Sequence, residues 1–386
     1  MEEVMVVIVG AGPSGLATSA CLSRLSIPNL VLEREDCSFS LWKKRSYDRL
    51  HLHLAKQFCS LPFFEHSPKS PVFMSKNAFI RYADDYVLRF NISPLYCHSV
   101  ESADYEEGKN RWQIVVKNTI SGEMKVYVSE FLVVACGENS AGYIPMLPGL
   151  ENFSGEVVHS SEYKSGLRFQ DKKVLVVGCG NSGMEIAYDL SNFGAHTSIV
   201  VRSKFHVLSK EMVLIGQLLF KYLSVSEIDN FITVLAEHKY GNLSKYGIHR
   251  PAEGPFYLKG TTGRSPVIDV GTVEKIRSRA IKVFPAISCI KEEFVVFENG
   301  DQQQIDAIVF ATGYKSTAKN WLKDYGYVLN EGGMPKNHFP FHWKGENGIY
   351  CAGLSKMGLA GVSSDAIAIA DDIKMAMSGK EGKRDG

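Results

Sequence analysis

Two glycine turns constrain this chain more than any other feature. Gly10-Ala11-Gly12-Pro13-Ser14-Gly15 and Gly178-Cys179-Gly180-Asn181-Ser182-Gly183 both match G-x-G-x-x-G, follow an apolar run and precede a helix-like stretch. One such turn is weak evidence, because glycine-rich turns are common. Two of them, each in strand–turn–helix context, predict two dinucleotides held by one polypeptide. The usual reason to hold two is to pass electrons between them.

The residues around each turn complete a βαβ unit. Val4 to Val9 reads as a strand buried on both faces, the helix carries Leu16, Ala17, Ala20 and Leu25 on or near one face, and Asn29 to Leu32 is the second strand. Gly10 permits the tight turn, Gly12 lets backbone approach a pyrophosphate, and Gly15 lets helix and strand pack closely. Glu33 closes the unit and is placed to accept from a ribose 2′-OH. A carboxylate there repels a 2′-phosphate, so the site suits an unphosphorylated adenosine, as in FAD or NAD. In the second unit Val174 to Val177 is the strand, Ile186, Ala187 and Leu190 line the helix, and Thr197 to Val201 is the next strand. This unit closes on Arg202, followed by Ser203 and Lys204. A guanidinium, a hydroxyl and an ammonium suit a 2′-phosphate, which points to NADPH over NADH. The competing reading, in which Arg202 caps a surface strand, stays open.

At 386 residues the chain has room for two cores. A 45% hydrophobic and 22% charged composition is that of an ordinary globular protein, and a net charge of +1 excludes the basic footprint of a nucleic-acid binder. No apolar run approaches the ~18 residues that span a bilayer. The chain enters its first strand almost at once, which leaves no room for a signal or transit peptide, so a cytoplasmic enzyme is expected. The eight cysteines (Cys21, Cys37, Cys59, Cys97, Cys136, Cys179, Cys289, Cys351) include no C-x-x-C and no metal-like pairing. No metal site is expected, and the disulfide-reducing chemistry of many two-nucleotide flavoproteins is excluded.

Ile144-Pro145-Met146-Leu147-Pro148-Gly149 reads as a connector between domains. Met212 to Leu223 is apolar with Gln217 and Lys221 interrupting it; a core helix, a channel wall and a membrane-leaning patch are its three readings. Phe294–Glu298 and Ile305–Ala311 read as strands, and Gly348–Ala352 as a further strand leading to Gly353, Gly358, Gly361 and a helix from about Ser364 through Met375. A glycine-lined turn before a helix favours negative charge.

Phe153 to Tyr163 matches F-x-G-x-x-x-H-x-x-x-[Y/F] just before the second glycine turn. That pattern resembles the signature of class B flavin-dependent monooxygenases, and Asp306 to Tyr314 resembles their later A-T-G-Y segment. The resemblance implies an α/β fold with two Rossmann-like dinucleotide-binding domains, the NADPH domain inserted into the FAD domain. The expected division is residues 1–170 and 286–386 for FAD and 171–285 for NADPH, with O2 as co-substrate. Three stretches, Leu41–Arg45, Tyr47–Cys59 and Gly361–Asp365, are similar to the YUCCA-type plant enzymes, the indole-3-pyruvate monooxygenases of auxin biosynthesis. By that likeness Trp42 and Asp365 are cofactor-binding residues, although Asp365 also suits the positive end of a helix dipole. His53 stands where many flavin monooxygenases carry an asparagine near the flavin–nicotinamide region; it is read as catalytic, against the alternative of exposed-loop polarity. Lys56 is assigned to the substrate carboxylate from placement. His159 is read as a hinge residue rather than a proton carrier. The family usually has threonine at Cys136 and proline at Ala55. The reaction implied is oxidative decarboxylation of a small 2-oxo acid, indole-3-pyruvate, through a flavin C4a-peroxide. An N- or S-oxygenating enzyme and an NADPH–flavin reductase stay open as alternatives.

Overall fold

The computed structural model describes residues 1–381, and it divides into two compact units. The first comprises Met1–Lys44, Ala55–Ala141 and the chain from Tyr314 onward; the second comprises Arg45–Leu54 and Gly142–Gly313.

The first unit starts with the predicted βαβ. Strand β1 (Glu2–Val9) is fully buried from Val6 to Ile8 and pairs in parallel with β2 (Asn29–Leu32), Val6 opposite Asn29. Helix α1 (Pro13–Arg24) joins them and buries Ser14 through Leu22. A short α2 (Ser40–Lys44) and α3 (Lys76–Arg89) follow; Ser75 caps α3 by accepting the Ala78 N–H. Strands β3 (His98–Glu106), β4 (Arg111–Asn118) and β5 (Met124–Val134) each run antiparallel to the next, and β5 lies parallel to β1. The sheet order is β2-β1-β5-β4-β3. Trp112, buried on β4, donates its indole N–H to the Asn347 carbonyl at 2.8 Å, so a large apolar ring is buried with its polar atom satisfied.

The second unit is built on a five-stranded parallel sheet. Its elements are β6 (Glu156–His159), β7 (Lys173–Val177), α4 (Asn181–Asn192), β8 (His196–Val200), α5 (Lys210–Leu219), α6 (Val225–Tyr240), α7 (Pro255–Thr262), α8 (Thr272–Arg277) and β9 (Ile281–Phe284). A small antiparallel sheet of β10 (Ile287–Lys291), β11 (Phe294–Phe297) and β12 (Gln302–Gln304) precedes β13 (Ala307–Phe310). The parallel order is β9-β8-β7-β13-β6. Ala307 on β13 lies opposite both Glu156 on β6 and Val174 on β7. That pairing carries the second unit well beyond the expected 171–285, because a parallel ladder joins strands without regard to their distance along the chain. Residues 142–170 and 286–313 therefore pack with the second glycine turn.

Met212 and Val213 are buried in the core of this unit, and a Cβ on Gly216 would meet the Phe256 ring at 2.2 Å. This is the core-helix reading of the 212–223 stretch on one face; Ile215, Leu218, Phe220 and Tyr222 lie exposed on another.

The chain then returns to the first unit. Strand β14 (Ile349–Cys351) adds in parallel to β5, Ile349 opposite Leu132, and α9 (Gly358–Glu381) packs on α1. The last helix thus begins about two turns earlier than the sequence suggests. Among the described residues no helix is long and apolar enough to cross a membrane.

Candidate functional site

In the first unit the glycine turn is shaped by backbone crowding on one side and openness on the other. Gly10 sits at φ +112° and a Cβ on it would lie 2.6 Å from the Ala135 carbonyl oxygen; a Cβ on Gly15 would lie 1.9 Å from the Gly10 oxygen. A Cβ on Gly12 would meet nothing within 4 Å. Gly12 is the N-cap of α1, and among the described residues no side chain accepts from the amides of its first turn. The first-turn amides thus face open space, as a phosphate requires. Glu33 is buried beside them: Oε2 accepts the Ala11 N–H at 2.7 Å and Oε1 the Glu35 N–H at 3.0 Å. Burial pushes the Glu33 carboxyl above its ordinary value, and the two amide donors oppose that shift.

Asp365 reaches the same turn through Gly353. Its Oδ2 accepts the Gly353 N–H at 2.9 Å, and a Cβ on Gly353 would strike the Ser14 hydroxyl at 1.9 Å. His342 Nε2 lies 3.0 Å from Asp365 Oδ1, and His342 Nδ1 is buried without a partner among the described residues. Burial raises the Asp365 carboxyl, with the His342 charge opposing. Trp42 is one turn beyond Phe39, whose N–H donates to the Ala11 carbonyl, and its ring packs 4.7 Å from that of Phe79.

Lys56 takes a place that sequence did not anticipate. Its ammonium donates to the carbonyls of Ser67, Pro68 and Ser70 at 2.9, 2.9 and 2.7 Å. Three donors are all an ammonium has. The ammonium thereby clamps the loop at 67–70.

The second unit repeats the turn. Gly178 sits at φ +110° with a would-be Cβ 2.4 Å from the Ala311 oxygen, Gly183 would crowd the Gly178 oxygen at 1.9 Å, and Gly180 again faces open space. Gly180 is the N-cap of α4, and among the described residues no side chain accepts from the amides of its first turn. Cys179 is anchored below the turn, its sulfur accepting from the Ser203 and Arg202 backbone amides, and burial raises its thiol. Asn181 accepts the Ile268 N–H at 2.7 Å and so fastens the loop at 266–268. Arg202, Ser203 and Lys204 are exposed just past the C-terminal end of β8. Arg264, absent from the sequence reading, joins them: its Nη2 donates to the Lys204 carbonyl at 2.8 Å. No spacing rule links residue 264 to residue 204; the turn after α7 does so in space.

Helices α7 and α8 also begin at glycines, yet their ends are filled. Asp229 accepts from the Phe256 and Tyr257 amides at 2.8 and 3.0 Å, and Asp269 accepts the Val273 N–H at 3.1 Å. The contrast marks α1 and α4 as the glycine-capped ends left open for an anion, and FAD and NADPH fit them.

The segment Arg45–Leu54 belongs to the second unit and meets α4 through polar side chains. His53 Nε2 lies 2.7 Å from Glu185 Oε1. Arg49 donates to the Glu185 carbonyl at 3.3 Å and lies over the Tyr188 ring at 4.5 Å. Tyr163 donates to Asp189 at 2.6 Å nearby. His159 is fully engaged: Nδ1 pairs with Ser161 at 2.9 Å and Nε2 with the Gly313 carbonyl at 3.1 Å, and burial lowers its imidazole. A Cβ on Gly142 would strike that ring at 2.3 Å.

A family model described as flavin-binding monooxygenase-like matches residues 3–325. The protein named "Probable indole-3-pyruvate monooxygenase YUCCA10" from Arabidopsis thaliana is 56% identical over 377 residues, covering 97% of this chain and 98% of that protein. The "Indole-3-pyruvate monooxygenase YUCCA6" of the same plant is 44% identical over 376 residues, 95% of this chain and 89% of that one. Among solved structures, a flavin-containing monooxygenase from Stenotrophomonas maltophilia superposes with a TM-score of 0.74 at 18% identity, covering 98% of this chain and all 100% of the other. The structure of OTEMO in complex with FAD and NADP gives 0.73 at 16% identity, over 98% of this chain and 86% of that one. At such identities the likeness is one of fold.

Proposed function

The chain belongs to the flavin-binding monooxygenase-like family, and from that membership we propose that it oxidatively decarboxylates indole-3-pyruvate to indole-3-acetate with FAD, NADPH and O2. The overall change is indole-3-pyruvate, O2, NADPH and a proton giving indole-3-acetate, CO2, NADP⁺ and water. The observation that carries the reading is the pair of glycine-capped helix ends, α1 and α4, whose first-turn amides have no side-chain acceptor among the described residues. The choice of substrate rests on the relatives' names and near-complete coverage.

When bound, the two cofactors supply hydride transfer to a flavin and activation of O2 by that flavin. The residues of this chain bind and orient them. Amides at Gly12 and Gly180 face the phosphates, favoured by the positive ends of α1 and α4. Glu33, held by two backbone donors, turns its remaining lone pairs to the ribose hydroxyls of the first nucleotide. Arg202, Lys204 and Arg264 form a cationic edge for a 2′-phosphate on the second. Asp365 fastens Gly353 against Ser14 and so keeps the first turn in shape. His53 is held on α4 by Glu185. Trp42 acts through packing, on the segment docked to Ala11.

The test is reduction of the holoenzyme by NADPH without oxygen, followed by air and indole-3-pyruvate. Indole-3-acetate and CO2 formed in step with NADPH consumed support the reading. Hydrogen peroxide as the sole oxygen product, with indole-3-pyruvate and every other 2-oxo acid tried, overturns it. A thioether oxidised in place of the 2-oxo acid identifies an S-oxygenating enzyme of the same fold.

A further inference from the structure

A chain of hydrogen bonds leaves the second glycine turn and ends at His53. Ser182, the second residue of α4, donates to the Tyr47 hydroxyl, and Tyr47 donates to Glu185. Glu185 in turn lies 2.7 Å from His53 Nε2. Tyr47 and Glu185 are buried, their exposures 5% and 2%. A buried carboxylate is costly unless it is compensated. Here the half-buried Lys210 ammonium faces it, and Arg49 lies against the carbonyl of the same residue.

The direction of the last bond follows from these neighbours. The Glu185 carboxylate accepts from Tyr47 and is faced by the Lys210 ammonium, so it acts as acceptor toward His53 as well. The Nε2 of His53 is then the donor, and a neutral imidazole leaves its Nδ1 with a lone pair. Among the described residues Nδ1 has no protein partner and is not a buried orphan atom. A buried acid that fixes one nitrogen of a histidine decides what the other offers.

We propose that Glu185 and Tyr47 are positioning residues: they hold His53 in the Nε2–H tautomer and present Nδ1 as a hydrogen-bond acceptor to the nucleotide held at the N-terminus of α4. The proposal rests on the reading of that helix end as the NADPH site. It explains why residues 45–54 pack with the second unit although the chain on both sides belongs to the first. It also makes Ser182 part of the connection, since this hydroxyl belongs to the glycine turn and touches Tyr47.

The test uses the FAD-loaded protein. NMR of the imidazole nitrogens, assigned by difference with His53→Gln, reads the tautomer directly. The expected result is Nε2–H for His53, with the Nδ1 resonance moving when NADP⁺ is added to saturation. Glu185→Gln, which has the same shape but an ambiguous donor, gives a mixture of tautomers. Anaerobic flavin reduction at saturating NADPH then slows about tenfold, the effect of one charge-assisted bond. Tyr47→Phe keeps the buried ring, removes one donor to Glu185 and slows reduction about threefold. His53 found as Nδ1–H, or an Nδ1 resonance unmoved by saturating NADP⁺, overturns the proposal. So does wild-type reduction by Glu185→Gln. Failure of the wild-type protein to bind NADP⁺ at all instead overturns the assignment of the α4 site.

Discussion

Gly12→Ala and Gly15→Ala look like the same substitution in the same turn, yet the structure separates them. Gly12 has φ −78° and ψ −176°, extended backbone that any residue adopts, and open space where a Cβ would go. Alanine there gains about 0.4–1 kcal/mol from a less flexible unfolded chain and loses a comparable amount as a poorer N-cap. The apoprotein should therefore melt within about 1 kcal/mol of wild type. The methyl group instead occupies the space into which the amides point. Loss of two charge-assisted bonds at about 1.5 kcal/mol each weakens FAD binding on the order of 150-fold. At Gly15 the Cβ would lie 1.9 Å from the Gly10 oxygen and 3.1 Å from its carbon, both backbone atoms. The turn must open, at a cost of about 3 kcal/mol or more to the fold itself. Thermal unfolding of the flavin-stripped variants, followed by fluorescence titration with FAD, distinguishes the two. Wild-type FAD affinity in Gly12→Ala, or an apoprotein melting as low as that of Gly15→Ala, would refute the reasoning.

Arg202→Ala should raise KM for NADPH about ten- to thirtyfold, with Lys204 and Arg264 keeping part of the attraction, and leave KM for NADH unchanged; an unaltered preference removes Arg202 from the phosphate site. Lys56→Met takes three bonds from the 67–70 loop and should lower stability by about 1–3 kcal/mol while KM for the 2-oxo acid stays put. A higher KM at an unchanged melting temperature would return Lys56 to the substrate. Glu33→Gln tests a pH dependence. The folded-state carboxyl is raised by burial, so its contribution to stability is present below the ordinary value of 4.5 and is lost as pH rises through the folded-state value. The Glu33→Gln apoprotein, which carries no titrating group at this position, should accordingly gain on wild type between pH 4.5 and neutrality, in urea melts run across that range; a constant difference would contradict the burial argument.

Much of this arrangement is visible before any coordinates. The turns at Gly10 and Gly178, the strands Val4–Val9 and Val174–Val177, and the closing residues Glu33 and Arg202 are local, and local patterns of apolar period and glycine spacing suffice to find them. What escapes is set by contacts remote in sequence. Strand β13 joins the second unit because Ala307 finds Glu156 and Val174 as ladder partners. Lys56 reads as a free cation next to the YUCCA-like stretch until three carbonyls of the loop at 67–70 close over it. Glu185 reads as one more polar helix residue, since nothing in its neighbourhood announces that Tyr47 and His53 will fold onto it.

The helix ends show where sequence reading reaches its physical limit. Among the described residues four α-helices begin at a glycine N-cap: α1 at Gly12, α4 at Gly180, α7 at Gly254 and α8 at Gly271. Each presents first-turn amides that need an acceptor. For α7 the acceptor is Asp229, donated by α6, and for α8 it is Asp269, four residues before Val273. Neither carboxylate is distinguishable in sequence from an ordinary surface acid, and a glycine N-cap by itself does not tell a filled end from an open one. The distinction is made by the second half of the G-x-G-x-x-G motif. Gly15 and Gly183 let the helix press on its strand so closely that a Cβ would sit 1.9 Å from the carbonyl of the first glycine. That contact holds the amides of α1 and α4 at the end of a sheet strand, with no side chain among the described residues capping them. The motif thus identifies a ligand site through the packing that keeps the helix end open, and its middle glycine matters for what it leaves empty.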